Sequence, residues 1–421
     1  MNRPISLFPG ITLRCFPDHR FKHGCLSIQF LRPMCREEAA MNSLLPAVLL
    51  RGCRNYPDLR AITLHLDDLY GASVGALVRR VGDYQTTGLY CSFVEDRFAM
   101  EGDAILAPMT DFVRQLLFAP VTCNGAFSPE YVESEKKNLI STIESQLNDK
   151  RAYAMEQMLR HMCREDSYGI PRLGEKAQVA AITPETLYTH YETVLRTSPI
   201  ELCYVGSAQP EKVAALLKDV FAELPHIPVF PAPQTAFHSS TGGEYTEEMD
   251  VSQAKLCMGF TTPVTIRDRE FVTMQVFNAL FGGGMTSKLF MHIRERLSLC
   301  YAIGSGYHGS KGIITLSAGI DSNMADTVKK EILAQLDACC NGDFTQEELT
   351  AAKQSIRSGL LSIYDSPGAI EGYFATAALS GLTLTPEAYI QAVEQVTAEQ
   401  VAQAARQVQP DTVFLLKGVG V

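Results

Sequence analysis

Phe127-Ser-Pro-Glu130, with Lys136 and Leu139 after it, returns as Phe344-Thr-Gln-Glu347, with Lys353 and Ile356 after it. Ile182-Thr-Pro-Glu185 returns as Val396-Thr-Ala-Glu399, and Gly206 returns as Gly418 behind a closing strand. The spacings between these pairs differ only by loop-sized insertions, so one supersecondary unit is written twice. Around the first copy, apolar and polar residues alternate over 26–31 as in a half-buried strand. Met41, Leu44, Leu45, Val48 and Leu49 form a helical stripe that ends at Gly52. Pro46 has no N–H and suits only a first turn, which places the start of that helix near Asn42 or Ser43. A second helix follows Pro57 and stops at Gly71, and 73–81 and 87–94 read as strands joined around Gly82-Asp83. Helical patterns cover about 97–118 and 128–163, and 200–205 is a strand. Between Leu224 and Gly243 lie four prolines without periodicity, then come a strand at 254–260, a helix at 268–281, a glycine-rich stretch, a strand at 313–320, helices, and a last strand at 413–416. The expectation is an α+β chain of two homologous domains, 1–225 and 245–421, with a linker at 226–244. Each domain is a mostly antiparallel sheet with helices on one face.

The 421 residues, 46% of them hydrophobic, suit two or three cores rather than one. Net charge is −10 with both signs interspersed, so nothing marks a groove for nucleic acid or a patch for an anionic membrane. No apolar run approaches the ~18 residues that span a bilayer, and prolines interrupt the amino terminus before any apolar run forms. A cytoplasmic protein is expected. The twelve cysteines are scattered apart from Cys339-Cys340, and no Cys-x-x-Cys pair occurs, so they read as reduced thiols rather than disulfides or a zinc knot. Cys91, Cys203 and Cys257 lie in strand-like runs and read as small core residues.

Residues 281–301 read as a turn at Gly282, Gly283 and Gly284, a cap at Thr286 or Ser287, and a helix with Met285, Leu289, Ile293 and Leu297 along one face. Arg294 would lie beside that seam and Tyr301 just beyond it, two strong donors able to point the same way. With Lys288 the glycines suggest a phosphate loop, but G-x-x-x-x-G-K-[ST] spacing fails and no buried strand leads in. Gly71-Ala-Ser73-Val-Gly75 has the letters of a nucleophile elbow; here a helix precedes and a strand follows, the reverse of what its mechanics require. Neither H-E-x-x-H nor H-x-x-E-H occurs, and the nearest local pair, His65 with Asp68, reads as a solvated or satisfied helix flank.

Nearly the whole chain resembles the pitrilysin/insulinase-type peptidases. Gly282-Gly-Gly-Met-Thr-Ser-Lys-Leu-Phe290, Arg294-Glu295 and Tyr301 resemble the family's Gly-Gly-Gly-Met-Ser-Ser-Arg-Leu-Phe, Arg-Glu and Tyr signature. Arg51-Gly52, Tyr56-Pro57 and Leu66-Asp-Asp-Leu-Tyr-Gly-Ala-Ser73 resemble the run behind its zinc helix. Registered on Gly52, the resemblance puts Ser43, Pro46 and Ala47 where the family has His, Glu and His, and Thr142 where it has the third ligand, with Glu135 at the accessory position. All three protein ligands and the general base are thereby replaced. Asn42-Ser-Leu-Leu-Pro46 resembles bacterial non-catalytic subunits of that family.

The resemblance implies half of a peptidase clamshell, without a cofactor of its own and without activity alone. The homologous H-x-x-E-H-containing partner would bring zinc, and this chain would bring Arg294 and Tyr301 in trans. The substrate would be an extended peptide, touched by Gly282, Gly283 and Gly284 and held as an added edge strand, with 73–81 resembling the substrate-side strand of the amino half. Without that partner two copies could pair as a homodimer. An inert peptide-binding or structural pseudo-peptidase is the alternative.

Overall fold

The computed structural model describes residues 3–237 and 242–419. Part of the expected linker, 238–241, lies outside them. The chain forms two compact units: 1–144 with 170–233 and 364–379, and 145–169 with 234–363 and 380–421. Neither is one continuous stretch, which differs from a single division at 226–244.

The first unit holds β1 (Ile5–Phe8), β2 (Ile11–Pro17), β3 (His23–Pro33), β4 (Ser73–Val81) and β5 (Tyr84–Val94), then a small hairpin of β6 (Thr122–Cys123) and β7 (Ala126–Phe127), and β8 (Ile200–Gly206). Its sheet runs in the order β1-β2-β8-β3-β5-β4. The second unit holds β9 (Gly243–Glu248), β10 (Ala254–Thr261), β11 (Ala302–His308), β12 (Ile313–Ile320) and β13 (Gln409–Lys417), in the order β11-β12-β10-β13-β9. Read from the opposite end, the second order reproduces five strands of the first. The pairing signs agree as well: β2 lies parallel to β8 and β9 parallel to β13, and the other contacts in both series are antiparallel. The duplication is therefore a duplication of topology.

The repeated letters are helix caps. Thr183 and Thr397 each form a reciprocal capping box at the start of Pro184–Thr197 and Ala398–Ala405, and Thr345 does so with Glu348 at Gln346–Ser362. Lys136 reaches the Ile182 carbonyl at 2.8 Å and Lys353 the Glu394 carbonyl at 3.0 Å, so the repeated lysines tie corresponding helices in each unit.

In both units a helical group covers one sheet face, where Leu26, Ile28, Leu89 and Leu202 meet Leu44, Val48, Phe112 and Leu116 in the first core. The other face of each sheet takes one further helix from a distant part of the sequence. Helix Pro367–Ser380 places Glu371 over the first sheet, where it accepts hydrogen bonds from Ser27 Oγ (2.7 Å) and from both terminal nitrogens of Arg79 (2.9 and 2.7 Å). Strand β3 is therefore not half-buried: Ser27 and Gln29 are covered as fully as their apolar neighbours. In the second unit helix Lys150–Met162 lies on β10 and β13, with Met158 and Met162 packed on Cys257 and His161 stacked 3.8 Å from Tyr245.

Two helices depart from expectation. The predicted run over 128–163 breaks into Pro129–Ser145, a short turn, and Lys150–Met162, whose N-cap is Asp149. Helix Arg36–Leu49 starts well before Asn42, with Pro46 inside it. The missing N–H at Pro46 would leave the Asn42 carbonyl unpaired, and Thr87 Oγ1 on β5 donates to that carbonyl at 2.7 Å instead.

Candidate functional site

Helix Phe271–Phe281 ends at Gly282, and the chain then turns along the free edge of β11. The Ser305 N–H donates to the Gly282 carbonyl at 2.8 Å. A Cβ on Gly282 would stand 2.6 Å from Ser305 Oγ, and one on Gly283 would stand 2.8 Å from Ala279 Cα, so close packing alone demands both glycines. Gly284 is open on that test, its nearest neighbour being Ser355 Oγ at 4.0 Å. Ser287 supplies the cap, its Oγ accepting from the Phe290 N–H at 3.4 Å. Lys288 turns to the Asp343 carbonyl at 2.8 Å, which commits the amine that a phosphate loop would need.

From Phe290 to Arg296 the backbone is a π-helix rather than an α-helix. The expected fourfold face is not kept: Leu289 and Ile293 are buried, but Met285, in the turn before the helix, is 76% exposed, and Leu297, just past the wider π turn, is 39% exposed. Arg294 rests over the Phe290 ring, 4.6 Å from its centroid. Its Nε donates to the Tyr301 carbonyl at 2.9 Å and its Nη1 to Glu295 at 2.7 Å. The two residues singled out in sequence are thus brought together, through guanidinium and main chain. The Tyr301 side chain is 61% exposed, and its hydroxyl donates to Asp321 Oδ1 at 3.1 Å. That hydrogen bond, and the negative charge behind it, raise the phenol pKa and keep it a donor through neutral pH.

In the first unit the four degenerate positions do not fit a metal. Ser43 Oγ lies 2.9 Å from the Ala39 carbonyl and 3.0 Å from that of Arg172, Pro46 and Ala47 have no donor atom, and Thr142 Oγ1 donates to the Asn138 carbonyl at 2.9 Å. Glu135 pairs with Arg51 Nη1 at 3.1 Å. Around Ser43 runs a buried network that sequence reading did not find. His190 Nε2 lies 2.7 Å from Asn42 Oδ1, Asn42 Nδ2 donates to Gln85 Oε1 at 2.9 Å, and Gln85 Nε2 donates to the Arg172 carbonyl at 2.7 Å. Burial pushes the His190 imidazole down to about 4, so it is neutral at pH 7. Its members are scattered singly through the sequence, and only Asn42 lay near a residue under suspicion.

The remaining candidates have plain structural roles. Ser73 opens β4 after helix Leu59–Asp68, in the order that excludes a nucleophile elbow. His65 stacks on Tyr56 with centroids 4.3 Å apart, and burial lowers its pKa. Strand β4 is an edge, as expected, but Arg172 Nη1 occupies its Val78 carbonyl at 2.8 Å. A hollow of about 760 Å³ in the first unit, beside Phe118, Tyr188 and Leu224, is lined by none of the predicted residues. Among the described residues no helix is long and apolar enough to cross a membrane.

A model of the family described as the peptidase M16 inactive domain matches residues 181–356. Over 418 residues the chain is 29% identical to the "probable inactive metalloprotease" YmfF of Bacillus subtilis, across 99% of this chain and 98% of that one. The crystal structure of a conserved protein from Enterococcus faecalis superposes with a TM-score of 0.89 at 26% identity, covering 99% and 98% of the two chains. A peptidase M16 inactive domain from Pseudomonas fluorescens has the same fold, with a TM-score of 0.81 at 17% identity over 100% and 99%. Fold and site thus define a duplicated, peptidase-type α+β protein, and among the described residues no group of three or more His, Cys, Asp or Glu is placed to hold a metal ion. The chain is similar to inactive members of the M16, or pitrilysin/insulinase-type, peptidase family.

Proposed function

We propose that this protein is the substrate-binding, non-catalytic subunit of a heterodimeric zinc peptidase. The observation that carries the reading is the bonded pair of Arg294 and Tyr301, kept half-exposed and exposed in a chain whose metal positions are Ser43, Pro46, Ala47 and Thr142. A homologous partner with H-x-x-E-H supplies the zinc. Phenol and guanidinium from this chain donate to the substrate oxygen that gains negative charge as the peptide bond is attacked, a role for which neither has to titrate. The turn at Gly282, Gly283 and Gly284 passes the extended peptide. Buried thiols such as Cys91, Cys203 and Cys257 suit the reducing cytoplasm.

The test is co-expression with a homologous H-x-x-E-H chain, co-purification, and mass spectrometry of a peptide mixture incubated with each chain and with the pair. Cleavage by the pair alone supports the assignment; equal cleavage by the partner without this chain rejects it. A second reading, an inert peptide-binding pseudo-peptidase, is favoured by the internal partners of the same donors, Glu295 and Asp321, and by Arg172 on the β4 edge. It predicts no stable partner of that kind, with the chain remaining a monomer or a homodimer.

A further inference from the structure

Strand β11 reads Ala302-Ile-Gly-Ser-Gly-Tyr-His308. Alternate residues of a strand face opposite sides of the sheet, so Gly304, Gly306 and His308 share one side. Gly304 stands opposite Ser317 and Gly306 opposite Thr315 on β12. Unlike Gly282 and Gly283, these glycines are not required by crowding. A Cβ on Gly304 would meet nothing nearer than the Gly282 carbonyl at 3.6 Å, and one on Gly306 nothing nearer than Thr315 Oγ1 at 3.8 Å. What they do is leave one side of the edge strand bare. The result is a hollow of about 450 Å³ bounded by Arg151, Met155, Gly284, Gly306, His308 and Ser317, all within the second unit.

Its lining is mixed: Met155, Met285, Phe290 and Ile303 stand beside Ser317, Thr315, His308 and one cation, Arg151. Ser317 and Thr315 are 4% and 6% exposed, and both have their hydroxyls engaged. Ser317 Oγ accepts from Arg151 Nε at 2.9 Å, which fixes the root of the guanidinium, and His308 Nε2 lies 2.9 Å from Thr315 Oγ1. Lys255, opposite Gly319 on β12, lies on the same sheet face outside that lining, its Nζ donating to Gln253 Oε1, and burial, then the charge of Arg151, lowers its pKa. The neighbouring carboxylate, Asp149, is committed to capping its helix, accepting from the N–H groups of Arg151 and Ala152 at 3.1 and 3.0 Å. Arg151 thus presents a guanidinium held through Nε, with no ion pair to a described carboxylate.

A planar guanidinium with its two terminal nitrogens available matches a carboxylate in bidentate geometry. We infer that this trough is a subsite for a carboxylate of the bound peptide, with Arg151 as the specificity-determining residue and the bare side of β11 as the space that admits the peptide. The carboxylate comes either from an Asp or Glu side chain or from a free C-terminus. The peptide ligand rests on the function proposed above; the subsite rests on Arg151 and the two glycines.

Fluorescence anisotropy on the purified full chain tests it, with three short fluorescein-labelled peptides: one amidated with a single Glu, the same with Gln in its place, and the Gln peptide with a free C-terminus. A carboxylate peptide should bind at least about tenfold tighter than the amidated Gln peptide, the scale of a hydrogen bond to a charged group. Whichever of the two gains identifies the source. Arg151→Gln should erase the gain and leave the amidated Gln peptide within about twofold of its original Kd. Gly306→Leu, which fills open space, should erase it too. Equal binding of all three peptides, or a preference that persists in Arg151→Gln, overturns the subsite and leaves the subunit reading intact. Failure of every peptide to bind also overturns it. By contrast, loss of the subunit reading is seen in the cleavage assay with the partner, which does not depend on Arg151.

Discussion

Arg294 Nε donates to the main-chain carbonyl of Tyr301 over 2.9 Å, so the residue that carries the phenol also positions the guanidinium. Tyr301→Phe keeps that carbonyl and removes only the hydroxyl, whereas Arg294→Ala removes the second donor and frees the chain at 301. In the reconstituted pair each substitution should lower kcat by about 100-fold or more, the usual consequence of deleting an oxyanion donor worth ~3 kcal/mol. KM should change little in Tyr301→Phe. Steady-state kinetics on a single fluorogenic peptide measure both, and full activity of the double variant would remove the role assigned to these residues.

His190 should make stability depend on acid. Its folded pKa, about 4, lies below the ordinary imidazole value of about 6.5, so the unfolded chain binds the extra proton first as pH falls. The contribution is fully present above the unfolded pKa and is lost as pH drops from about 6.5 towards about 4. Desolvation is the main cause; Glu38 opposes it and Arg32 adds to it. Urea unfolding at pH 7 and pH 5 should differ by about 2 kcal/mol from this group. The difference should shrink in His190→Gln, which is neutral at both.

Pro46 and Thr87 should be coupled. Thr87→Val removes the hydroxyl that donates to the Asn42 carbonyl and should cost about 1–3 kcal/mol. Adding Pro46→Ala restores an N–H that can serve the same carbonyl within the helix, so the double variant should recover part of the loss. A double-mutant cycle by urea denaturation measures the coupling, and strict additivity would show that the carbonyl is paired some other way.

Glu371 is completely buried, and its partner Arg79 is one-quarter exposed. Glu371→Ala leaves a guanidinium and the Ser27 hydroxyl without their acceptor and should cost about 3–5 kcal/mol. Arg79→Ala should cost as much or more in urea unfolding, because it leaves the carboxylate uncompensated under its helix. A neutral result for Glu371→Ala would mean that helix Pro367–Ser380 is held by its apolar contacts alone, such as Phe374 stacked 4.2 Å from Phe16.

By itself the sequence determined the duplication, because the repeated segments are local caps: Thr183, Thr345 and Thr397 need partners only three residues away. It likewise determined the hairpin at Gly82-Asp83, which is a matter of nearby letters. Strands β1, β2, β9 and β11 went unread. In β11, Gly304 and Gly306 interrupt the apolar alternation that marks a strand, and the supporting information lies across the sheet in Thr315 and Ser317. The long start of helix Arg36–Leu49 depended on a hydroxyl from β5, and the π-helix that seats Arg294 broke a pattern that looked regular in one dimension. Only the tertiary structure decided that 145–169 and 364–379 serve units other than their sequence neighbours, that Ser27 and Gln29 are buried, and that His190 completes a network around Ser43. Each of these depends on a partner far away in the chain, and a polar group declares whether it is satisfied only when that partner arrives.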